Sequence, residues 1–295
     1  MNPAAGQLDA ERALRLLAGA FAVRGAGFDV VQTTGAGDAA AAARRAVAEG
    51  YRAVVAVGGD GTVGEVITGL AGSDVPLGIV PKGTANQVAA NLGIPRFIED
   101  AVEVAVNGVP ARIDLGRLDD GRYFALAAGA GWDAALIAGA TRALKDRWGF
   151  GAYLFAGLRI GVTPPSTDFR IVADGRELHV RAAMVLVANM GDYVANVLPP
   201  LGVSVGPGVS FQDGLLDVCI FAPRRASDVA ALLWRIARRQ YAGDQRMIYL
   251  QAADVRVEAA QPVITEVDGD VVGQTPLVAS VVPGAVTVLV PDAAP

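Results

Sequence analysis

Residues 53–57 (Ala53, Val54, Val55, Ala56, Val57) are apolar at every position and run straight into Gly58-Gly59-Asp60-Gly61-Thr62. A strand with no polar alternation fits one buried on both faces of a parallel sheet. A helical pattern follows over 62–71. Glycines let the backbone turn tightly and approach a ligand closely. The helix behind them offers free N–H groups and the positive end of its dipole to an anion. This one junction commits the chain to strand–helix alternation and makes 58–62 a candidate phosphate loop.

The flanking sequence keeps the alternation. Helix-like periodicity over 8–23 (Leu14, Leu16, Leu17) precedes a strand-like run at 28–32 and an alanine-rich helix over 37–49. A strand at 77–80 and a helix at 84–92 follow. Such alternation predicts a doubly wound, Rossmann-like α/β domain. After about residue 112 the pattern becomes short strands at 112–118, 122–130, 168–174, 177–189, 215–221, 254–259, 262–267 and 285–291. Turn signals such as Asp119-Asp120-Gly121, Ala173-Asp174-Gly175 and Val267-Asp268-Gly269 separate them. A mostly antiparallel β-sandwich is expected there. The expected division is an α/β domain over 1–115 and a β-rich domain over 116–284, with the last strand near 285–295 returning to the first.

Composition narrows the function classes. Of 295 residues, 53% are hydrophobic and 19% charged, which is globular rather than disordered. A net charge of −5 gives no global field toward nucleic acid. One cysteine, Cys219, permits no internal disulfide and fits a reducing, cytoplasmic setting. It reads as a small core residue on an apolar strand. The single histidine, His179, excludes histidine-rich metal sites and reads as a strand residue facing solvent or a polar partner. No signal peptide is legible, and apolar runs such as 182–188 fall far short of a membrane span.

A second junction repeats the first. Pro81-Lys82-Gly83-Thr84 follows the strand at 77–80. Thr62 with Glu65, and Thr84 with Gln87, both have capping-box spacing, so Glu65 reads as a helix cap ahead of a catalytic role. Two such junctions in one parallel sheet can converge at the carboxyl ends of its strands. Asn2-Pro3-Ala4-Ala5-Gly6 is a third turn before a helix.

Together these pieces resemble the diacylglycerol kinase catalytic family, which includes bacterial lipid kinases and sphingosine kinases. The matching segments are NPAAG at 2–6, VGGDGTVGEVITGL at 57–70, LGIVPKGTANQVAANLGI at 77–94, IDLG at 113–116, DGLLDVCIF at 213–221 and VDGD at 267–270. They lie in the family's order over nearly the whole chain. GGDGT alone is shared with NAD kinases and phosphofructokinases; GGDGT followed by PxGTxN is more specific for the lipid-kinase branch.

The resemblance implies an ATP-dependent lipid kinase acting on a lipid hydroxyl, foremost diacylglycerol. ATP would lie on Gly58, Gly59, Asp60, Gly61 and Thr62, with Glu65, Gly83, Thr84, Asn86, Asn2 and Gly6 around it. Thr33 or Thr34 falls where the family places a nucleotide-contacting threonine. Mg²⁺ would take the Asp213 carboxylate and the carbonyls of Ser210 and Leu215, oxygen ligands of the kind it prefers. A plain turn is the equal reading of Asp213-Gly214. Asp60 and Asp270 carry the catalytic assignment, Asp270 as the general base. The family has Asp-Gly-Glu where this chain has Asp268-Gly269-Asp270, shorter by one methylene, roughly 1.5 Å. Glu266, Asp268 and Asp270, at two-residue spacing, would share one strand face, with Glu266 a lower-ranked substitute base.

Other departures accompany this one. Gln87 stands where the family commonly has Asp, and the family's apolar strand ahead of NPxxG has no counterpart before Met1, as a truncated start would produce. Two rival readings follow: an NAD kinase-like enzyme, and a degenerate member that binds lipid or nucleotide without turnover. The segment 224–240, with Arg224, Arg225, Arg235, Arg238 and Arg239 beside Leu232, Leu233, Trp234 and Ile236, reads as a surface helix with a solvated basic face. In a lipid kinase the same helix could rest on an anionic bilayer, giving peripheral contact at the inner membrane. No oligomeric state is selected; a homodimer is compatible.

Overall fold

The structure is a computed structural model that describes residues 1–6, 9–132, 164–193 and 203–292. The chain divides into two compact units, Met1–Ile113 with Gly284–Pro295, and Asp114–Pro283.

The first unit is α/β. Its helices are α1 (Ala10–Val23), α2 (Asp38–Ala48), α3 (Asp60–Leu70), α4 (Gln87–Asn91) and α5 (Ile98–Asn107). Strand β1 (Val54–Gly58) runs parallel to β2 (Leu77–Pro81), in register from Val54↔Leu77 to Gly58↔Pro81. The last strand of the chain, Leu277–Val290 (β16 in chain order), adds a parallel pairing at Val288↔Leu77. β2 is buried at every position, as a strand inside a helix-covered sheet must be. β1 is only half-buried at Val54 and Val55 and buried from Ala56 on. The expected burial on both faces holds for its second half alone, because β1 lies at the end of the strand order.

α3 packs on β1 and on α2, and α5 on β2 and α1. The alanine-rich sequence of α2 has a packing reason. A Cβ added to Gly69 of α3 would meet Ala40 O and Ala43 Cβ at 2.6 Å each, so small residues on both helices permit this approach. α5 was not anticipated, although Ala101, Val102, Val104 and Ala105 form its buried stripe and Glu99 and Asp100 its acidic first turn. The helix expected from residue 8 starts at Ala10, capped by Asp9, whose carboxylate accepts from Arg12 N at 3.2 Å; residue 8 itself lies outside the described residues. Residues 293–295 of the expected last strand also lie outside them.

The strand expected at 28–32 is absent. Phe28, Val30 and Val31 are 40–46% exposed and belong to no ladder. The reason is geometric. Met1 and Asn2 stand between this segment and β1: the Met1 ammonium donates to Val31 O, Thr33 N to Met1 O, and Asn2 N to Val57 O. These are single contacts rather than a ladder, so the β propensity of 28–32 finds no strand pairing.

The second unit is antiparallel. Its strands are β3 (Val109–Leu118, in this unit from Asp114 on), β4 (Tyr123–Phe124), β5 (Ala127–Gly131), β6 (Thr167–Ala173), β7 (Arg176–Ala182), β8 (Met184–Ala188), β9 (Asp192–Tyr193), β10 (Val203–Ser204), β11 (Leu216–Phe221), β12 (Met247–Ala252), β13 (Asp254–Ala259), β14 (Ile264–Val267), β15 (Asp270–Gln274) and the first half of β16. One sheet runs β12-β11-β8-β5-β14-β15; in the other, β16, β13, β6 and β7 lie side by side. Val185, Val187, Val218 and Ile220 of the first share a core with Phe169, Ile171, Val255 and Val257 of the second. Each such buried side chain contributes about 2 kcal/mol. β5, β8 and β11 are buried throughout, whereas β6 alternates. β12 and β15 had no sequence expectation. Helix α6 (Ala226–Ala237) follows β11. Among the described residues no helix is long and apolar enough to cross a membrane.

Candidate active site

The two glycine junctions meet. Gly58 and Pro81 are register partners at the carboxyl ends of β1 and β2, and Lys82 N donates to Gly58 O at 2.8 Å. A Cβ on Gly83 would come within 2.6 Å of Gly59 Cα, so the two loops touch backbone to backbone. Asn86 holds the second loop in shape. Its Oδ1 accepts from Gly83 N and its Nδ2 donates to Gly83 O, with Asn86 itself buried and at φ +47°. Thr84 and Gly61 are exposed, while Thr62 is buried.

The first helix starts earlier than its sequence suggests. α3 begins at Asp60 with Gly59 as N-cap and no side-chain cap, so Thr62 lies inside the helix rather than at its cap. The Asp60 carboxylate turns to the neighbouring helix and accepts from Val88 N at 3.0 Å. It thereby does for α4 what Thr84 was expected to do; α4 spans only 87–91, and its N-cap Asn86 supplies no side-chain bond. Burial raises the Asp60 pKa, opposed by its backbone hydrogen bonds. Glu65 is likewise a cap, of a different helix. Its two oxygens accept from Gly37 N and Ala39 N at 2.9 and 3.0 Å, which secures the N-terminus of α2.

The third loop joins the other two. Asn2 Nδ2 donates to Thr62 Oγ1 at 3.3 Å, and Asn2 Oδ1 accepts from Ala4 N. Gly6, at φ +68°, lies so close to Lys82 O that an added Cβ would be 2.0 Å away. Lys82 Nζ donates to Ala5 O at 2.6 Å and Pro3 O at 3.4 Å, and burial lowers its pKa. Lys82 is a site residue that the motif contained but its glycines and threonine overshadowed. Thr33 donates its N–H to Met1 O; Thr34 donates both N–H and hydroxyl to Asp38 Oδ2, which lowers the Asp38 pKa.

The other predicted residues belong to the second unit. Ser210 Oγ accepts from Gln212 N, and Asp213 Oδ1 accepts from Leu215 N at 3.1 Å. Gly214 N donates to Asp114 Oδ2 at 2.8 Å. Asp217, fully buried, takes the Tyr249 hydroxyl and Gln251 Nε2 on Oδ1, while its Oδ2 has no hydrogen-bond partner. Burial raises the pKa of both Asp217 and Tyr249. The candidate donors, the Asp213 carboxylate and the carbonyls of Ser210 and Leu215, are all oxygen, the kind a hard cation takes, and Asp213 Oδ2 also accepts from Gln251 Nε2 at 3.4 Å. Among the described residues no three carboxylate, imidazole or thiol side chains cluster as a metal site, so backbone carbonyls would have to complete the shell.

Asp270 is exposed at the start of β15, paired with Val267. Glu266, Asp268 and Asp270 do not share a strand face. Asp268 (φ +48°) and Gly269 (φ +88°) form the turn between β14 and β15. The Asp268 carboxylate accepts from Ala125 N, Leu126 N and Ala127 N at 2.9–3.0 Å. Glu266 is buried and accepts from Gly269 N, so it closes the turn. His179 sits exposed beside Glu177, and Cys219 is buried in β11.

Glycine loops at the carboxyl ends of parallel strands, each leading into a helix, are an arrangement suited to a phosphate group. Residues 1–118 match the diacylglycerol kinase catalytic domain, and residues 127–290 match the YegS C-terminal NAD kinase beta sandwich-like domain. The chain is 31% identical over 278 residues to a diacylglycerol kinase of Bacillus subtilis (strain 168), covering 93% of this chain and 89% of that one. It is 32% identical over 300 residues to a diacylglycerol kinase of Mycobacterium tuberculosis, covering 98% and 93%. An uncharacterized Synechocystis protein is 30% identical over 249 residues, and there the match spans 56% of the relative's length. A solved chain from Bacillus anthracis str. Sterne has the same fold, with a TM-score of 0.83 at 24% identity, covering 100% of this chain and 96% of that one. The chain belongs to the diacylglycerol kinase family of lipid kinases.

Proposed function

We propose that this protein transfers the γ-phosphate of ATP to the free hydroxyl of a lipid, with diacylglycerol as the acceptor. The observation that carries the reading is the contact of the two glycine junctions at Gly59 and Gly83, with Asp60 linking α3 to α4, in a chain of lipid-kinase family. The N–H groups of Gly59 to Thr62 and of Thr84 bind the phosphates, and Gly58 and Gly83, lacking side chains, let the two loops approach closely. Asn2, Gly6 and Asn86 hold the loops that carry them, with Thr33 and Thr34 toward the nucleoside, while Glu65 ties α2 to α3. Asp270 accepts the hydroxyl proton as the lipid oxygen bonds to the γ-phosphorus; the bond to the β,γ-bridging oxygen breaks and ADP leaves. Asp213 with the carbonyls of Ser210 and Leu215 is the site for Mg²⁺, which when bound offsets negative charge. The setting is cytoplasmic with peripheral contact at the inner membrane, and a homodimer is compatible with this reading.

The test offers Mg²⁺ and labelled ATP with diacylglycerol, a sphingoid base, phosphatidylglycerol or NAD. Label should enter diacylglycerol. Label in NAD alone overturns the reading in favour of a soluble nucleotide acceptor. Nucleotide binding with no transfer assigns a binding protein instead. Asp270→Ala should cut kcat by roughly 10²–10⁴ with ATP affinity unchanged, and Asp270→Glu should retain turnover.

A further inference from the structure

Residues 224–239 are a basic stretch in an acidic chain. Five arginines and Asp228 give this stretch a formal charge of +4, against −5 for the whole protein. α6 turns Val229, Leu232 and Ile236 inward. Ser227, Ala230, Trp234, Ala237 and Arg238 face outward. Trp234 is 61% exposed, and the Arg238 guanidinium stacks over its ring at 4.5 Å. The acidic groups nearby are turned away. Asp228 accepts from the backbone N–H groups of Arg224 and Arg225 and from Arg246, and Asp244 is taken up by Arg246 and Arg235. Among the described residues, none of Arg224, Arg225, Arg238 and Arg239 is in an ion pair.

An indole left 61% exposed on a packed helix keeps most of its apolar surface in water. Its apolar body and polar N–H suit the headgroup level of a bilayer. Arginine stems lie along apolar surface while their heads bind phosphate oxygens. Alanine and serine beside Trp234 let the helix lie flat and close. A concentrated basic face on a protein of negative net charge is drawn toward an anionic surface. We propose that the outward face of α6, with Trp234 as the inserted anchor, Arg238 over its ring, and Arg224, Arg225 and Arg239 at the two ends of the helix, seats the protein on an anionic lipid bilayer. The proposal rests on the lipid-acceptor reading only for the reason that a bilayer is where such an acceptor lies.

Cosedimentation tests it without nucleotide. The wild-type chain should bind vesicles containing phosphatidylglycerol, bind pure phosphatidylcholine far less, and release at ~0.5 M salt. Each arginine removed should weaken binding roughly fivefold. Arg238→Glu with Arg239→Glu should abolish it, and Trp234→Ala should weaken it about tenfold. Arg181→Glu, on exposed β7, is the control that should bind as wild type. Thermal melts of all variants should coincide with wild type, since the altered side chains are exposed. Wild-type binding by both α6 variants overturns the proposal, as does equal binding to neutral vesicles, or binding to a DNA duplex in place of vesicles. Vesicle binding by a chain that phosphorylates no lipid upholds this face and overturns the kinase reading; phosphorylation of detergent-dispersed lipid without vesicle binding does the reverse.

Discussion

At the scale of single residues, two aspartates do structural work that their motifs conceal. Asp60 stands in the phosphate loop yet caps α4 through Val88 N. Asp60→Ala should therefore abolish turnover and also lower stability by about 1 kcal/mol, the usual cost of a lost cap. Asp60→Asn keeps an accepting oxygen, so urea melts should show it near wild-type stability while activity stays lost. A full cap effect in Asn, or none in Ala, would remove the capping role. Asp268 gathers three backbone N–H groups. Asp268→Ala leaves these donors without their acceptor and should cost about 3 kcal/mol. Asp268→Asn, which can accept only part of that set, should fall between the two in the same denaturation series. The GGDGT string reads as a candidate phosphate loop and VDGD as a turn. Which backbone groups each carboxylate binds was not legible, because those partners lie 28 residues away for Asp60 and over 140 for Asp268.

At the scale of elements, α6 is fastened at one end by ions. Asp228 and Asp244 both bind Arg246, and Arg246 holds the Asp244 carboxyl down to about 2. A depressed carboxyl stabilises the fold above its unfolded pKa of about 4 and loses that contribution as pH falls toward 2. Melting temperature against pH should thus drop between about pH 4 and pH 2 in wild type, and Asp244→Asn should flatten that limb while lowering stability at neutral pH. An unchanged acid limb would show that this network does not matter to folding. Helix and strand types were mostly readable from period, as in α1, α3, β6 and β11. The failures had physical causes: 28–32 has the residues of a strand but no ladder beside it, and β15 is short, exposed and interrupted by Gly273.

At the scale of the whole molecule, each unit has its own core, and amide exchange should reveal it. Val185, Val187, Val218 and Ile220 lie on strands buried throughout and should exchange slowest. Amides of 28–32, outside any ladder, should exchange within the fastest class; protection there equal to that of β2 would contradict the geometry. By itself the sequence determined the α/β-then-β order, the glycine junctions and the resemblance they carry, because these depend on local period and on residues a few positions apart. Only the tertiary structure decided that the two junctions touch at Gly59 and Gly83, that Lys82 clasps the Asn2–Gly6 loop, that Glu65 serves α2, and that Glu266 is sealed in a turn. Those outcomes depend on which backbone groups distant segments leave to be satisfied, and a buried N–H takes the nearest carboxylate in space whatever its place in the chain. The Gly58–Thr62 loop thus reads from sequence as a candidate phosphate loop, while the packing around it shows which backbone groups Asp60 and Glu65 bind.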